Sequence, residues 1–190
     1  YDVPGKNNAG AAFVFYGAPG GIGTSHDWMD YGRFGYDFYA GCVACAGDVN
    51  GDGFSDVAVS SYKERNTHNN EGAVYIYFGS AMGDDPVPDW RIGGRQAGAR
   101  AGISCSSAGD LNGDGYPETI VGAYLYDNGE NNEGALYVFN GTPDGPSTLA
   151  AQVIEGNEVG GLFAISVSGC GDVNGDGYCD VIVGAPGQAR

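Results

Sequence analysis

Three nine-residue stretches hold the residues best placed to do chemistry: DVNGDGFSD from Asp48, DLNGDGYPE from Asp110 and DVNGDGYCD from Asp172. Oxygen donors recur at alternate positions. Position 1 is Asp48, Asp110 or Asp172. Position 3 is Asn50, Asn112 or Asn174, and position 5 is Asp52, Asp114 or Asp176. Position 9 is again a carboxylate: Asp56, Glu118 or Asp180. Position 7 is Phe54, Tyr116 or Tyr178, which would offer a backbone carbonyl and leave its side chain free to be apolar. Ca²⁺ is a hard cation that takes roughly six to eight oxygens, and a short loop curled around it supplies them from alternate residues. Gly51, Gly53, Gly113, Gly115, Gly175 and Gly177 permit the positive φ angles of such a curl. Three carboxylates on one short loop repel one another until a cation arrives, so binding and loop ordering are coupled. The pattern predicts three Ca²⁺ sites. It is not an EF-hand, whose longer loop ends in a bidentate Glu at position 12; that position here is Val59, Val121 or Val183.

The elements that must hold these loops are strands. DVAVSS, ETIVGAY and DVIVGAP begin at the closing acid of each loop, and such short β-branched runs read as strands. Each loop therefore joins two strands of a hairpin. Turn chemistry alone explains the Asn-Gly and Asp-Gly pairs, but not acids at positions 1, 5 and 9 three times over. The loops start at residues 48, 110 and 172, a spacing of 62 residues. Other features keep that spacing. GAAFVFYG from Gly10, GAVYIYFG from Gly72 and GALYVFNG from Gly134 align as strands, preceded by Asn8, Asn70 and Asn132. Trp28 matches Trp90, with Gln152 in the third place. YAGCVACAGD, AGISCSSAGD and FAISVSGCGD precede the loops as small-residue strands. One repeat is thus four short strands. The small-residue strand suits a crowded axis, while Tyr75, Tyr77, Phe78, Tyr137, Phe139, Phe13 and Phe15 are expected to fill the space between sheets. A fixed long period of four-stranded antiparallel sheets means an all-β β-propeller whose stacked blades share a core.

The run GDVNGDG…DVIVGAP…GALYVF resembles the FG-GAP repeat of integrin α-subunit β-propellers and covers essentially the whole chain. The Gly-Ala-Pro element is complete at Gly184, Ala185 and Pro186; elsewhere it is Ser60-Ser61-Tyr62 and Gly122-Ala123-Tyr124. The Phe-Gly element is Tyr39-Ala40, Ala101-Gly102 and Phe163-Ala164. The resemblance implies Ca²⁺ loops on the hairpin turns of blades and a role in extracellular adhesion or protein recognition.

The units expected are about 1–38 (the second half of a blade), 39–100, 101–162 and 163–190 (the first half of another), within a single propeller segment. That makes three blade equivalents with a split blade at the termini. Two arrangements are open: a piece of a longer propeller, or chains that complete one another's split blades as a homo-oligomer.

The net charge is −16, and nine of the acids lie in the loops. Three Ca²⁺ would leave about −10, still unsuited to nucleic acid, whose binding needs Lys and Arg against phosphates. No apolar run is long enough to cross a membrane. There are five cysteines. Cys170 and Cys179 lie on the two arms of one hairpin, and a disulfide between them is expected to clamp the third loop. Cys42, Cys45 and Cys105 read as small core residues, lacking the fourth ligand and spacing of a zinc site. Asn140-Gly141-Thr142 is an N-glycosylation sequon. His26 and His68 lie in polar loops without a repeated acid or nucleophile beside them, and no catalytic motif occurs, so no enzyme is expected.

The expected function is an extracellular or cell-surface Ca²⁺-binding module for protein recognition or adhesion. Tyr36, Phe38, Tyr62, Tyr124 and Tyr126 are the aromatic loop residues that would meet a partner. An architectural repeat of a surface assembly and a carbohydrate-binding module are the alternatives.

Overall fold

The computed structural model describes residues 7–81 and 87–188. The outermost residues of the first and last expected units, 1–6 and 189–190, lie outside the described residues. Among those described there are strands and turns but no helix, hence none to cross a membrane.

Among the described residues fourteen strands are arranged in repeating sheets. β1 (Ala11–Val14) pairs antiparallel with β4 (Trp28–Tyr31), and between them β2 (Gly17–Ala18) and β3 (Gly21–Ile22) form a small hairpin. The first complete sheet is β5 (Tyr39–Gly47), β6 (Asp56–Ser61), β7 (Ala73–Tyr77) and β8 (Trp90–Gly93), in sequence order. The second is β9 (Ser104–Gly109), β10 (Glu118–Ala123), β11 (Ala135–Phe139) and β12 (Gln152–Glu155), again in order. β13 (Ser166–Gly171) and β14 (Asp180–Gly184) pair as a further hairpin. The pairings between these strands are antiparallel, as blades of a β-propeller require, while an isolated bridge between Gly72 and Ala101 is parallel. Among the described residues the half-sheets β1–β4 and β13–β14 do not pair with each other.

The period is written into the backbone. Asn8, Asn70 and Asn132 have φ of 52°, 52° and 54°; Phe38, Arg100 and Leu162 have 55°, 56° and 53°. Gly10, Gly72 and Gly134 have 82°, 78° and 82°. A methyl group on these three glycines would lie 2.1, 2.1 and 2.2 Å from the carbonyl oxygens of Tyr39, Ala101 and Phe163. Those are the first members of the Phe-Gly elements, so that element is where the next sheet's backbone presses on the previous one. Its second members, Ala40, Gly102 and Ala164, also take the left-handed conformation, at φ 60°, 88° and 62°. Two alanines here tolerate a conformation that glycine adopts more cheaply.

The small-residue strands β5, β9 and β13 stand side by side at the crowded edge. Between sheets the aromatic packing also repeats. Trp28 stacks edge-on against Tyr77 at 5.0 Å, and Trp90 against Phe139 at 5.6 Å, each onto the next blade's third strand. Tyr75, Tyr77 and Phe139 are buried as expected, with Tyr137 and Phe78 partly so. Phe13 and Phe15 are not: both are more than 40% exposed. Phe13 lies in the two-stranded half-sheet and Phe15 just beyond β1, where no preceding sheet among the described residues covers them.

Two glycines separate close contact from conformation. Gly72→Ala, forced into the Ala101 carbonyl, is expected to cost roughly 3 kcal/mol or more. Gly98→Ala has a similar φ of 81° but open space around it, and should cost about 1 kcal/mol. Denaturant unfolding of both variants checks this; equal losses would contradict the packing argument.

Candidate functional site

The acidic loops join β5 to β6, β9 to β10 and β13 to β14. Each comes after a β-bulge on the first strand: the register skips Ala46, Ala108 and Cys170. A bulge bends the strand and re-aims the loop beyond it. The glycines then supply the curl, with Gly51 and Gly53 at φ 74° and 94°, Gly113 and Gly115 at 81° and 94°, and Gly175 and Gly177 at 80° and 96°.

The three loops share one hydrogen-bond plan. The position-1 carboxylate sits inside the turn and collects amide protons from positions 5 and 6. Asp52 N and Gly53 N donate to Asp48 at 2.9 and 2.8 Å. Asp114 N and Gly115 N donate to Asp110 at 3.2 and 2.9 Å; Asp176 N and Gly177 N donate to Asp172 at 3.1 and 2.9 Å. The position-5 amide also donates to the position-3 side chain, Asn50, Asn112 or Asn174, and the position-5 carboxylate accepts from position 7, Phe54 N, Tyr116 N or Tyr178 N. Asn50 and Asn174 donate onward to Asp52 and Asp176, whereas Asn112 donates to the longer Glu118.

Position 9 closes the loop. Asp56, Glu118 and Asp180 accept the amides of Val49, Leu111 and Val173 at 2.8, 2.7 and 2.8 Å. Asp56 also accepts Gly79 N, from the turn after β7, at 2.9 Å. Asp56 and Glu118 are buried, Asp180 only partly so. Burial pushes Asp56 up to about 6; the amides of Gly79 and Val49 pull it down, and the charges of Asp52 and Asp48 push it up again. Glu118 is raised likewise, by burial first and by Asp114 and Asp110 after the opposing Leu111 amide. At position 1 the balance reverses. Desolvation opposes charge on Asp110, but the amides of Gly115, Gly113 and Asp114 together lower its pKa; Asp172 is lowered first by the Gly177 amide.

Hard oxygens, a curled backbone and a buried carboxylate facing two like charges suit a divalent cation in donor chemistry and charge. Among the described residues no three acidic, thiol or imidazole side chains form a ready-made metal cluster. The carboxylates spend oxygens on backbone amides instead.

The loops also touch one another. The Tyr116 ring covers Gly51 and the Tyr178 ring faces Gly113: a methyl at either glycine would meet the ring at 2.6 or 3.0 Å. The Tyr116 and Tyr178 side chains are thus joints between neighbouring loops, while Phe54 is exposed. Pro117 packs on Gly47 and Cys179 on Gly109 in the same fashion, the Cys179 sulfur 2.5 Å from where a Gly109 methyl would stand. That corrects the expected Cys170–Cys179 disulfide. Cys179 faces the preceding sheet, Cys170 sits exposed on its bulge, and all five cysteines are free. The sequon's Asn140 is half-buried just after β11, its carbonyl accepting Ser147 N at 2.8 Å.

Antiparallel alternation sends the other loops to the opposite face. Residues 62–72 and 94–101 interlock there, with Gly98 N, Arg100 N and Ala101 N donating to the carbonyls of Asn69, Asn70 and Glu71. This face carries the aromatic residues. Tyr36 and Phe38 are exposed; Tyr62, Tyr124 and Tyr126 are half-buried. Phe38 lies 5.5 Å from Tyr62, with the Lys63 ammonium 4.1 Å from the Phe38 ring, and Arg100 lies over Tyr124. Of the eight basic residues of the chain, Arg33, Lys63, Arg65, Arg95 and Arg100 lie in these loops. Sequence reasoning missed the buried acids beneath them. Glu71 and Glu133 are buried and accept loop amides, of Asn66 and Thr67 in one case and Asn128 and Asn157 in the other. Their repeated Asn-Asn-Glu-Gly signature was the available signal. His68 does have a repeated acid beside it, Glu71, at 3.1 Å.

The sequence profile of the FG-GAP repeat matches residues 43–77, 106–139 and 163–189, one match around each acidic loop. The chain is 34% identical to integrin alpha-5 of Xenopus laevis over 161 residues, covering 78% of this chain and 15% of that protein. It is 31% identical to integrin alpha-6 of Gallus gallus over 191 residues, covering 96% and 17%. It is 35% identical to integrin alpha pat-2 of Caenorhabditis elegans over 164 residues, covering 77% and 13%. The chain therefore spans less than a fifth of the length of these relatives.

The loop electrostatics set a pH test. Asp56 has a folded pKa near 6 against an unfolded value of about 3.9. Without a cation, the folded state holds more protons across that window, so stability falls as pH rises through it. In chelator the melting temperature should therefore rise from pH 7 to pH 5. Excess Ca²⁺ should raise it at pH 7 and shrink the gain on acidification to the share of Asp37, which burial and Glu64 also push up to about 6 away from the loops, and Asp52→Ala should blunt the Ca²⁺ response. Identical melting profiles with and without Ca²⁺ would contradict a cation site.

Proposed function

The chain belongs to the FG-GAP repeat family, and on that premise we propose that it is an extracellular or cell-surface β-propeller module for protein recognition or adhesion. Its proposed unit is a single propeller segment with repeats at about 1–38, 39–100, 101–162 and 163–190. In this reading Ca²⁺ is structural. Asp48, Asn50, Asp52 and Asp56 would hold one ion, with the Phe54 carbonyl. Asp110, Asn112, Asp114 and Glu118 with Tyr116, and Asp172, Asn174, Asp176 and Asp180 with Tyr178, would hold two more. A bound ion would neutralise the position-9 carboxylate and hold the loops rigid, fixing how adjacent blades meet.

The observation that carries the recognition reading is the segregation of the two faces. One edge is acidic and committed to its own loops. The other presents the exposed Phe38 ring and the half-buried Tyr124 ring with cations against them, on loops built over buried, hydrogen-bonded Glu71 and Glu133. Aromatic residues and Arg are enriched in protein interfaces, and rigid loops lower the entropy cost of binding.

The test is an array of secreted and cell-surface ectodomains probed in Ca²⁺ buffer. A specific partner is expected, with binding reduced about tenfold or more by Phe38→Ser together with Tyr62→Ser. The melting temperature should fall only modestly, since Phe38 is exposed and Tyr62 is half-buried, and binding is compared well below it. An empty protein array beside a positive glycan array would replace this reading with a carbohydrate-binding module.

A further inference from the structure

The first two complete sheets face each other through β5 and β9, and a pair of thiols meets at that junction. The Cys42 and Cys105 sulfurs are 3.2 Å apart, although the residues are 63 positions apart in the chain. The Cys105 amide donates to the Cys42 sulfur at 3.2 Å, and the Cys42 thiol lies 3.5 Å from the Cys105 carbonyl. Cys42 N is itself held by the Ser60 hydroxyl at 2.9 Å. Cys105 is buried and Cys42 partly exposed. At the next junction, between β9 and β13, the same two places are taken by Ser104 and Val167, and the Ser104 hydroxyl donates to the Ala164 carbonyl. The two cysteines thus occur together at one blade junction and are both replaced at the other.

We propose that Cys42 and Cys105 are the site of an inter-blade disulfide that locks the first two complete sheets together. The chemistry needs a small disulfide such as oxidised glutathione as oxidant. The Cys42 thiolate attacks one of its sulfurs, forming a mixed disulfide and releasing one glutathione thiolate, which takes up a proton. Cys105 then loses its proton and attacks the Cys42 sulfur. The second glutathione leaves as a thiol, so two protein thiols are oxidised and one small disulfide is reduced to two thiols. The division of roles rests on exposure: of the pair, only Cys42 is open to the oxidant. The Cys105 thiol donating to it, against an opposing burial, lowers Cys42 to about 7, which favours the attacking thiolate. The same contact and burial raise Cys105, suiting a group that acts second. No large chain movement is needed, because the sulfurs already touch. A link across so long a loop constrains the unfolded chain strongly.

The test uses the whole chain, reduced and then exposed to oxidised glutathione near pH 7.5, alkylated and mapped by peptide mass. The expected product joins the Cys42 and Cys105 peptides with the loss of two hydrogens, leaving Cys45, Cys170 and Cys179 outside that link. Its melting temperature should rise by about 5–15 °C and fall back on reduction. Cys105 is buried and its substitution risks misfolding, so Cys42→Ser carries the control: it should fold, form no such link and melt alike before and after oxidation. Cys42 and Cys105 both still alkylated, either one joined to a different cysteine, or Cys42 resting as a stable glutathione adduct would each overturn the proposal.

Discussion

One close approach of backbone to backbone governs how these sheets stack. At Gly10, Gly72 and Gly134 the entry to the third strand of a blade lies against the carbonyl that begins the next blade, with no room for a methyl group. Amides of Tyr39, Ala101 and Phe163 donate across the same seam to Ala9, Glu71 and Glu133. This contact uses no side chain, so the rest of each repeat can vary around it. It fixes the step from blade to blade, and that step decides which side chains meet. Trp28 reaches Tyr77, Trp90 reaches Phe139, and Cys42 reaches Cys105.

The same step lines the acidic loops up along one edge. They are joined by position-7 rings seated over the glycine of the preceding loop. A change in one loop is therefore felt by its neighbour through Tyr116 or Tyr178. The loop edge concentrates carboxylates, and the opposite edge gathers aromatic side chains and five of the eight basic residues on interlocked turns, beside acids of its own such as Asp127 and Glu130. The proposed cations and the proposed partner would act on opposite ends of the same strands. Ion binding would then support recognition by keeping the stack rigid, without touching the partner.

Much of this was legible in the chain itself, because the relevant chemistry is local. The glycine positions in DVNGDGFSD specify a left-handed curl wherever the loop is placed, and all six glycines adopt it. The spacing of 62 residues likewise reappears as repeated φ angles and repeated strand pairings. What sequence could not supply was lateral. Phe13 and Phe15 share the pattern of buried Tyr75 and Tyr77, but burial depends on a neighbouring sheet and not on the strand's own alternation. Cys170 and Cys179 share a hairpin, yet a bulge and the preceding blade draw them apart. Cys42 and Cys105 are offset by one residue between repeats, so no alignment of the repeats places them together. The buried Glu71 and Glu133 resemble surface acids until the loop amides folded over them are seen.

The central claim is that the three acidic loops are cation sites built into a repeating stack. Calorimetric titration of the Ca²⁺-depleted chain measures it most directly. Three Ca²⁺ per chain are predicted, in a range down to about 10⁻⁴–10⁻³ M, with Asp114→Ala removing one and weakening the others through Tyr116 and Tyr178. A chain that takes up no Ca²⁺ at millimolar concentration would contradict it, and the loops would then be turns held by their own hydrogen bonds alone.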